Sequence, residues 1–390
     1  MNIFFSTGEV SGDLQAAALI EALFKHAKQQ HFDLKITAIG GRRMAAAGAT
    51  LIADSTSIAA FGIQEALPML LPALAMQRQV EKYLKTNPPD LVILVDYEGF
   101  NSGLGQFCQR DLPDCPIVYY ITPQFWVYTP FPNKVKDLVA MSDRILAIFP
   151  EEARFLERAG GQVRWIGNPL VDRMAQAPSR ETARQALGLK SIDTAIALLP
   201  ASRPQELKLL LPSIFGAAQQ LQSQLPNVQF WIPLSNPEFA APIRAAIAQY
   251  QLNATLTEQD SRQVLAGMDL ALTKSGTVAL ELALLNVPQV VIYRLAPLTM
   301  WAARYLFRAK IPFISPPNLL LMETIVPELL QENASATNIA TEALAVLQNP
   351  ERQAQIRQGY ARIRQEIGEP GVCDRAAKEI FQLLAERGKV

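Results

Sequence analysis

The sequence contains little histidine and cysteine, and neither charge sign is in excess. Its two histidines, His26 and His31, lie on or just after the first predicted helix, far from any strand end. This position argues against a Ser-His-Asp triad and against a histidine-rich metal site. The three cysteines, Cys108, Cys115 and Cys373, are too few and too scattered for a disulfide framework or a zinc site, as expected in a reducing cytoplasm.

Charge and composition exclude further classes. Lys+Arg and Asp+Glu each number 36, so no overall field attracts nucleic acid and any phosphate site must be local. Hydrophobic residues make up 49% of the chain and charged residues 18%, which is typical of a globular protein, and 390 residues fit two domains. The N-terminus lacks a basic segment and a cleavable apolar core, so no signal peptide is expected.

The chain also lacks an apolar run that could span a membrane. The longest such region, Phe61–Met76, is interrupted by an acid and two prolines and is shorter than the ~20 residues that a spanning helix needs. A second apolar region, Pro297–Ile314, carries three basic residues. Each region could be core, or could contact a membrane surface. In the second interpretation the contacting side chains include Met69, Leu70 and Leu71.

Apolar runs alternate with helical patterns along the chain, which indicates parallel βαβ units. The predicted strands of the first half are Asn2–Ser6, Leu34–Ile39, Leu91–Val95, Ile117–Ile121, Arg144–Ala147 and Arg164–Trp165. Those of the second half are Ala195–Leu199, Gln229–Ile232, Leu270–Thr273 and Gln289–Ile292. We therefore predict an α/β protein with two doubly wound parallel-sheet domains and a cleft between the carboxyl ends of their strands.

The first strand leads into "STGEVSGD", which is neither a P-loop nor a dinucleotide fingerprint. Backbone N–H groups around Gly12 could receive an anion at the start of the helix. Glu9 and Asp13 would repel a phosphate in this loop, and Asp13 suits the first turn of the helix beside its dipole. The next strand-end turn, "AIGGRRM", offers Arg42 and Arg43 to a phosphate, although both also fit plain surface positions.

The stretch "VILVDYEGFN" is a buried strand that ends in Asp96. An acid at the carboxyl tip of such a strand lies where ligands bind in this architecture, and it could take a proton from an attacking hydroxyl. It could equally cap the next turn. Glu98 is the alternative base.

Two stretches repeat this pattern in the second half. "LLPASRPQEL" delivers Ser202 and Arg203 into a turn, and a guanidinium there can bind a diphosphate through two parallel hydrogen bonds. "LALTKSGTVALELALL" opens a helix at Ser275–Thr277, with Glu281 one turn later on the same face, where it could accept hydrogen bonds from ribose hydroxyls. A role as a plain helix cap would explain why Thr277 is present, but not why it occurs together with Arg203.

Seven motifs occur in one order over nearly the whole chain. They are "GEVSGD", "GGRRMAAAG", "VDYEGFN", "YYITPQFWVY", "LPASRPQE", "TKSGTVALE" and "ISPPNLLLMETIVPELLQE". Through them the chain resembles the lipid-A-disaccharide synthase family, bacterial glycosyltransferases that join two acylated glucosamines. The resemblance implies the GT-B fold, with an acceptor-side domain at 1–170, a UDP-sugar domain at 171–355, and helices at 356–390 that pack back on the first domain.

The resemblance also implies the reaction. A 2,3-diacylglucosamine unit passes from UDP to the 6-hydroxyl of 2,3-diacylglucosamine 1-phosphate, with inversion and without a metal or other cofactor. Asp96 matches the base, with Glu98 beside it, and Arg203 matches the diphosphate-binding arginine. The UDP-site residues are Ser202, Arg203, Glu206, Ser275, Gly276, Thr277, Glu281 and Asn318. The acceptor-side loop residues are Gly8, Glu9, Ser11, Gly12, Asp13 and Arg42.

The chain departs from the family pattern in three segments, one of which is a proline-rich insertion in "WVYTPFPNKVK". Gly99 replaces the second acid of the usual "DxPDFN", and Asn168 replaces a histidine in "GHPL". The expected partners are the two acylated glucosamine substrates and the inner membrane surface, with the protein cytoplasmic and peripheral. No nucleic acid is expected, and a homodimer is left open. The alternatives are a UDP-sugar epimerase of the same fold and a non-catalytic, membrane-associated nucleotide-sugar-binding protein.

Overall fold

A computed structural model describes residues 1–8, 10–55, 70–129, 131–296, 299–300 and 312–389. These residues form two compact units. The first contains the described residues of 1–172 and 367–389, and the second those of 173–296, 299–300 and 312–366.

The first unit is built around a seven-stranded sheet in the order β3-β2-β1-β4-β5-β6-β7, in which every neighbouring pair is parallel. Its strands are β1 (Asn2–Ser6), β2 (Lys35–Gly40), β3 (Thr50–Asp54), β4 (Leu91–Val95), β5 (Ile117–Tyr120), β6 (Arg144–Ala147) and β7 (Val163–Trp165). Its helices are α1 (Val10–Gln29), α2 (Arg42–Ala46), α3 (Leu70–Thr86), α4 (Glu98–Asp111), α5 (Pro132–Met141), α6 (Pro150–Arg158) and, at the junction, α7 (Leu170–Met174). Every residue of the central strand β4 is buried, as its unbroken apolar sequence predicts.

The second unit has a six-stranded sheet in the order β10-β9-β8-β11-β12-β13, again with all pairs parallel. Its strands are β8 (Thr194–Leu199), β9 (Val228–Pro233), β10 (Ala254–Thr257), β11 (Leu270–Lys274), β12 (Gln289–Tyr293) and β13 (Glu328–Leu330). Its helices are α8 (Arg180–Ala186), α9 (Pro204–Gln224), α10 (Ala240–Gln249), α11 (Ser261–Ala266), α12 (Thr277–Leu284), α13 (Pro316–Leu321), α14 (Ala336–Gln348) and α15 (Pro350–Glu366). Short 3₁₀ turns lie at Pro237–Phe239 and Gln331–Asn333.

The last helix, α16 (Val372–Glu386), belongs to the first unit. The Asp172 carboxylate accepts three backbone N–H groups at its start, from residues 371–373, at 2.6–3.1 Å. The guanidinium of Arg144, a residue of β6, donates to two carboxylates of α16 at 2.8 Å each. The Asp172 cap and the ion pairs of Arg144 therefore hold α16 on the first unit.

The predicted class, two parallel-sheet α/β domains, is confirmed, and three strands are additional. β3, β10 and β13 were not predicted because they are short sheet edges without a continuous apolar run, and all three are only partly buried. The predicted return of the chain at 356 occurs later, at Ile367. The reason is that α15 packs on the second unit, where the Tyr360 hydroxyl donates to the Val287 carbonyl at 3.1 Å.

In the part of the chain that the structure describes, every helix is too short or too polar to cross a membrane.

Candidate active site

In each of the two sheets, the order of the strands reverses direction at one point. In the first unit this point lies between β1 and β4, and in the second between β8 and β11. Ligands of doubly wound sheets bind at the carboxyl ends of strands at such points. Gly8 and Asp96 follow the two strands of the first point, and Arg203 and Ser275 follow those of the second. Each unit thus carries its own group of predicted site residues where a ligand is expected.

The turn after β4 has an unusual backbone. Asp96 (φ 49°) and Tyr97 (φ 50°) are both in the left-handed region, although neither is glycine. Such a conformation costs roughly 1–3 kcal/mol per residue and persists only where neighbouring contacts impose it. The half-buried Asp96 side chain is therefore presented from a turn that the surroundings hold in place.

Asn101, which is fully buried on α4, supplies those contacts. Its amide donates to the carbonyls of Val95 at 3.2 Å and Asp96 at 2.7 Å, and its oxygen accepts from the Ser6 hydroxyl at 2.6 Å. The Tyr119 hydroxyl donates a second hydrogen bond to the Asp96 carbonyl at 2.9 Å. Burial raises the pKa of Tyr119 well above its ordinary value, so the phenol stays a donor. Residues of β1, β4 and β5 therefore all take part in the hydrogen bonds that hold this turn.

The loop after β1 packs directly on this turn. A Cβ at Gly8 would lie 2.2 Å from the Tyr97 ring, and a Cβ at Gly12 would lie 2.1 Å from the Thr7 hydroxyl oxygen. Both approaches require glycine. The two loops of the first switch point consequently form one surface beside Asp96. Glu9 lies outside the described residues.

Asp13 is buried in the first turn of α1 and braces a second loop. Its carboxylate accepts the backbone N–H groups of Gly41 at 2.8 Å, Met44 at 3.1 Å and Arg43 at 3.2 Å. These bonds cap α2 and direct the acid away from solvent. Ser11 is half-buried near the start of α1, and Arg42 is exposed at the first position of α2.

Glu98 begins α4, and its carboxylate forms an ion pair with Lys134 of α5. This pair engages the Glu98 carboxylate. Gly99 is exposed, and among the described residues nothing lies within 4 Å of where its Cβ would be. Asn168, the other departure, is buried, and its side chain caps α7 by accepting from the Leu170 N–H at 3.1 Å.

In the second unit, Glu206 organises the start of α9. Its carboxylate accepts from Ser202 N–H at 2.7 Å, the Ser202 hydroxyl at 3.1 Å and Arg203 N–H at 3.2 Å. Arg203 Nη1 lies 3.5 Å from the same carboxylate, and Lys274 Nζ, from the end of β11, lies 3.4 Å from it. Burial first, then the charge of Glu206, raises the pKa of Tyr293 to about 12, which keeps a neutral phenol at the end of β12.

The turn after β11 opens α12. Gly276 has φ 142°, a conformation that favours glycine, and it is Gly276 that caps the helix, while Thr277 is its first residue. The Ser275 hydroxyl donates to the Ile314 carbonyl at 2.8 Å. Glu281, one turn into α12, is buried and lies 3.7 Å from Arg173 Nε.

Asn318 is fully buried, and its side chain is occupied at every position. Its amide donates to the Val326 carbonyl at 2.9 Å and to Glu328 at 2.8 Å. Its oxygen accepts from the N–H groups of Ile325 at 2.8 Å and Val326 at 2.9 Å. An amide has two donors and two acceptor sites, so Asn318 shapes the "PPN" segment in this structure and has no capacity left for a nucleotide.

Of the predicted membrane residues, Leu70 and Leu71 begin α3 and Met69 lies outside the described residues, as does most of the second apolar region. The side chains of Leu70 and Leu71 are 54% and 77% exposed, and Leu74 is also exposed. Leu70 and Leu71 are therefore not core.

Sequence reasoning gave no role to Asn101, Tyr119, Lys274 or Tyr293. Asn101, Tyr119 and Lys274 stand inside quoted motifs, and the position of Lys274 at the end of a strand was a further signal. Tyr293 is the last residue of an apolar strand and carries no sequence signal beyond burial.

Comparison with known proteins first defines the class. The fold matches the S. aureus MnaA–UDP complex with a TM-score of 0.68 at 15% identity, over 98% of this chain and 97% of that one. This likeness concerns the fold alone, which is the GT-B architecture of two parallel-sheet α/β domains.

The sequence then defines the family. The lipid-A-disaccharide synthetase family model matches residues 3–382. The lipid-A-disaccharide synthase of Gloeothece citriformis is 53% identical over 98% of this chain and 100% of its own length. That of Synechocystis sp. is 49% identical over 98% of each. The chain belongs to the lipid-A-disaccharide synthase family, glycosyltransferases of lipid A biosynthesis, and this membership is preferred over the epimerase alternative.

Proposed function

We propose that the chain transfers a 2,3-diacylglucosamine unit from UDP to the 6-hydroxyl of 2,3-diacylglucosamine 1-phosphate, with inversion and without a metal. The observation that carries this proposal is the chemical contrast between the two switch points. The first presents a carboxylate, Asp96, on a braced turn, and the second presents the cations Arg203 and Lys274.

Each group supplies one part of the transfer. Asp96 takes the proton of the acceptor 6-hydroxyl, whose oxygen attacks the anomeric carbon of the donor. The bond from that carbon to the β-phosphate oxygen breaks, and its electron pair leaves with UDP. Arg203 and the N–H groups at the start of α12 stabilise the negative charge on the departing diphosphate. Glu281 accepts hydrogen bonds from the ribose hydroxyls.

The direct test is incubation of the purified protein with both acylated glucosamine substrates. We expect equal amounts of disaccharide and UDP. An epimerised UDP-sugar without disaccharide, or UDP-sugar binding without turnover, would contradict the proposal and would support one of the alternatives.

We further propose that the protein works on the cytoplasmic side of the inner membrane, bound at its surface. The exposed leucines at the start of α3 support this location, because burial of a leucine side chain contributes about 1.5–3 kcal/mol. A homodimer remains a prediction.

Replacing Leu70 and Leu71 together with serine should release the protein from anionic liposomes, with a loss of partitioning on the order of 10²-fold or more. The fold and UDP affinity should not change, because both side chains are exposed. Cosedimentation measures the binding, and circular dichroism checks the fold. Ile192→Ser is the matched control, since Ile192 is 67% exposed elsewhere. Undiminished binding of the double variant would exclude this stretch as the contact.

A further inference from the structure

Lys274 ends β11 immediately before the Ser275 turn, and its side chain is only 14% exposed. Its Nζ lies 3.4 Å from one carboxylate oxygen of Glu206 and 3.5 Å from the other. A Cβ at Gly276 would lie 3.0 Å from the same Nζ. The ammonium therefore lies close to the residue that caps α12, and a side chain at 276 would require it to shift.

Two cations, Arg203 and Lys274, lie beside the Glu206 carboxylate. Arg203 Nη1 lies 3.5 Å from the Glu206 carboxylate. A diphosphate that approached this pair alone would meet a carboxylate as well as a guanidinium. Lys274 adds a second cation beside Glu206, on the strand that neighbours the one leading to Arg203.

We propose that Lys274 is a further catalytic residue of the donor site, whose ammonium binds a diphosphate oxygen of the UDP-sugar and stabilises the departing UDP. Glu206 is its counter-ion before the donor binds and fixes the direction of the long side chain. When the bond between the anomeric carbon and the β-phosphate oxygen breaks, the electron pair goes to that oxygen beside the two cations. The inference rests on the proposed function, because it assigns a role within the same reaction.

The test compares UDP with uridine, which lacks the diphosphate. Lys274→Met keeps most of the side-chain length and removes the charge. We expect its affinity for UDP in calorimetry to fall by about 10–100-fold, as for a hydrogen bond to a charged group, with uridine affinity unchanged. The kcat for disaccharide formation should fall as well. Lys274→Arg should recover part of both losses. Lys208→Met, at an exposed position of α9, is the matched control and should behave like the unsubstituted protein.

Arg203→Ala separates this inference from the proposed function. If Arg203→Ala loses UDP affinity while Lys274→Met keeps both UDP affinity and kcat, the role of Lys274 is refuted and the donor site stands. If the unsubstituted protein binds no UDP or forms no disaccharide, the proposed function itself fails. An equal loss of UDP and uridine affinity in Lys274→Met would make the lysine structural. If Lys274→Met does not fold, Lys274→Gln, whose amide can still donate to Glu206, is measured in its place with the same expected results.

Discussion

Asp96→Asn should lower the turnover of disaccharide formation by about 10²–10⁴-fold, the usual contribution of a general base. Asparagine keeps the shape of the side chain and tolerates the left-handed backbone at φ 49°, so the turn should persist. What is lost is the carboxylate that accepts the proton of the acceptor hydroxyl in the proposed reaction. UDP affinity should stay the same, because the proposed donor site lies in the other unit. Steady-state kinetics and calorimetry with UDP measure the two quantities.

Glu98→Gln is the matched control for this variant. Glu98 lies two residues away, and its ion pair with Lys134 should make its loss cost little turnover. Near-normal turnover of Asp96→Asn, together with a large loss in Glu98→Gln, would reverse the assignment. Near-normal turnover in both variants would place the base elsewhere.

The fold could be predicted from sequence wherever one strand was buried on both faces. β1, β4 and β6 have the predicted bounds. Where strands and helices alternate along a chain, a short apolar run between two polar turns indicates a buried parallel strand. The edge strands carry half-exposed patterns that do not differ from loops, and their existence depends on a neighbour far along the chain. The position of α15 likewise depends on a long-range contact, between Tyr360 and Val287.

Site residues could be predicted from sequence where they directly follow an apolar run that marks a strand. Asp96, Arg203 and Ser275 were found in this way, and the parallel sheets bring them to the two switch points. The hydrogen bonds that assign finer roles could not be predicted, because they join distant residues. Ser6 and Asn101 are 95 positions apart, and Lys274 and Glu206 are 68 apart. Asn318 shows the same limit, since only the structure reveals that its amide is saturated.

Asn101→Ala should reduce turnover by about 10²-fold, the effect of a displacement of about 1 Å at a reacting group. The alanine removes both hydrogen bonds that the amide donates to the strained turn, at Val95 and Asp96. It also leaves the buried Ser6 hydroxyl without its acceptor, so we expect the free energy of unfolding to fall by about 1–3 kcal/mol. The kcat should fall far more than UDP affinity, because Asn101 acts on the position of Asp96 and lies in the first unit, whereas the proposed donor site lies in the second.

Tyr119→Phe separates positioning from stability in this prediction. It removes only the second hydrogen bond to the Asp96 carbonyl and keeps the buried ring, so it should lower kcat less than Asn101→Ala. Kinetics at a temperature where circular dichroism shows each variant to be fully folded makes the comparison valid. The pH dependence of kcat/KM adds a readout that stability alone would not move, since a displaced carboxylate changes its environment and hence its pKa. If Asn101→Ala keeps full turnover and an unchanged pH profile once folded, Asn101 supports the fold only, and Asp96 does not depend on the braced turn.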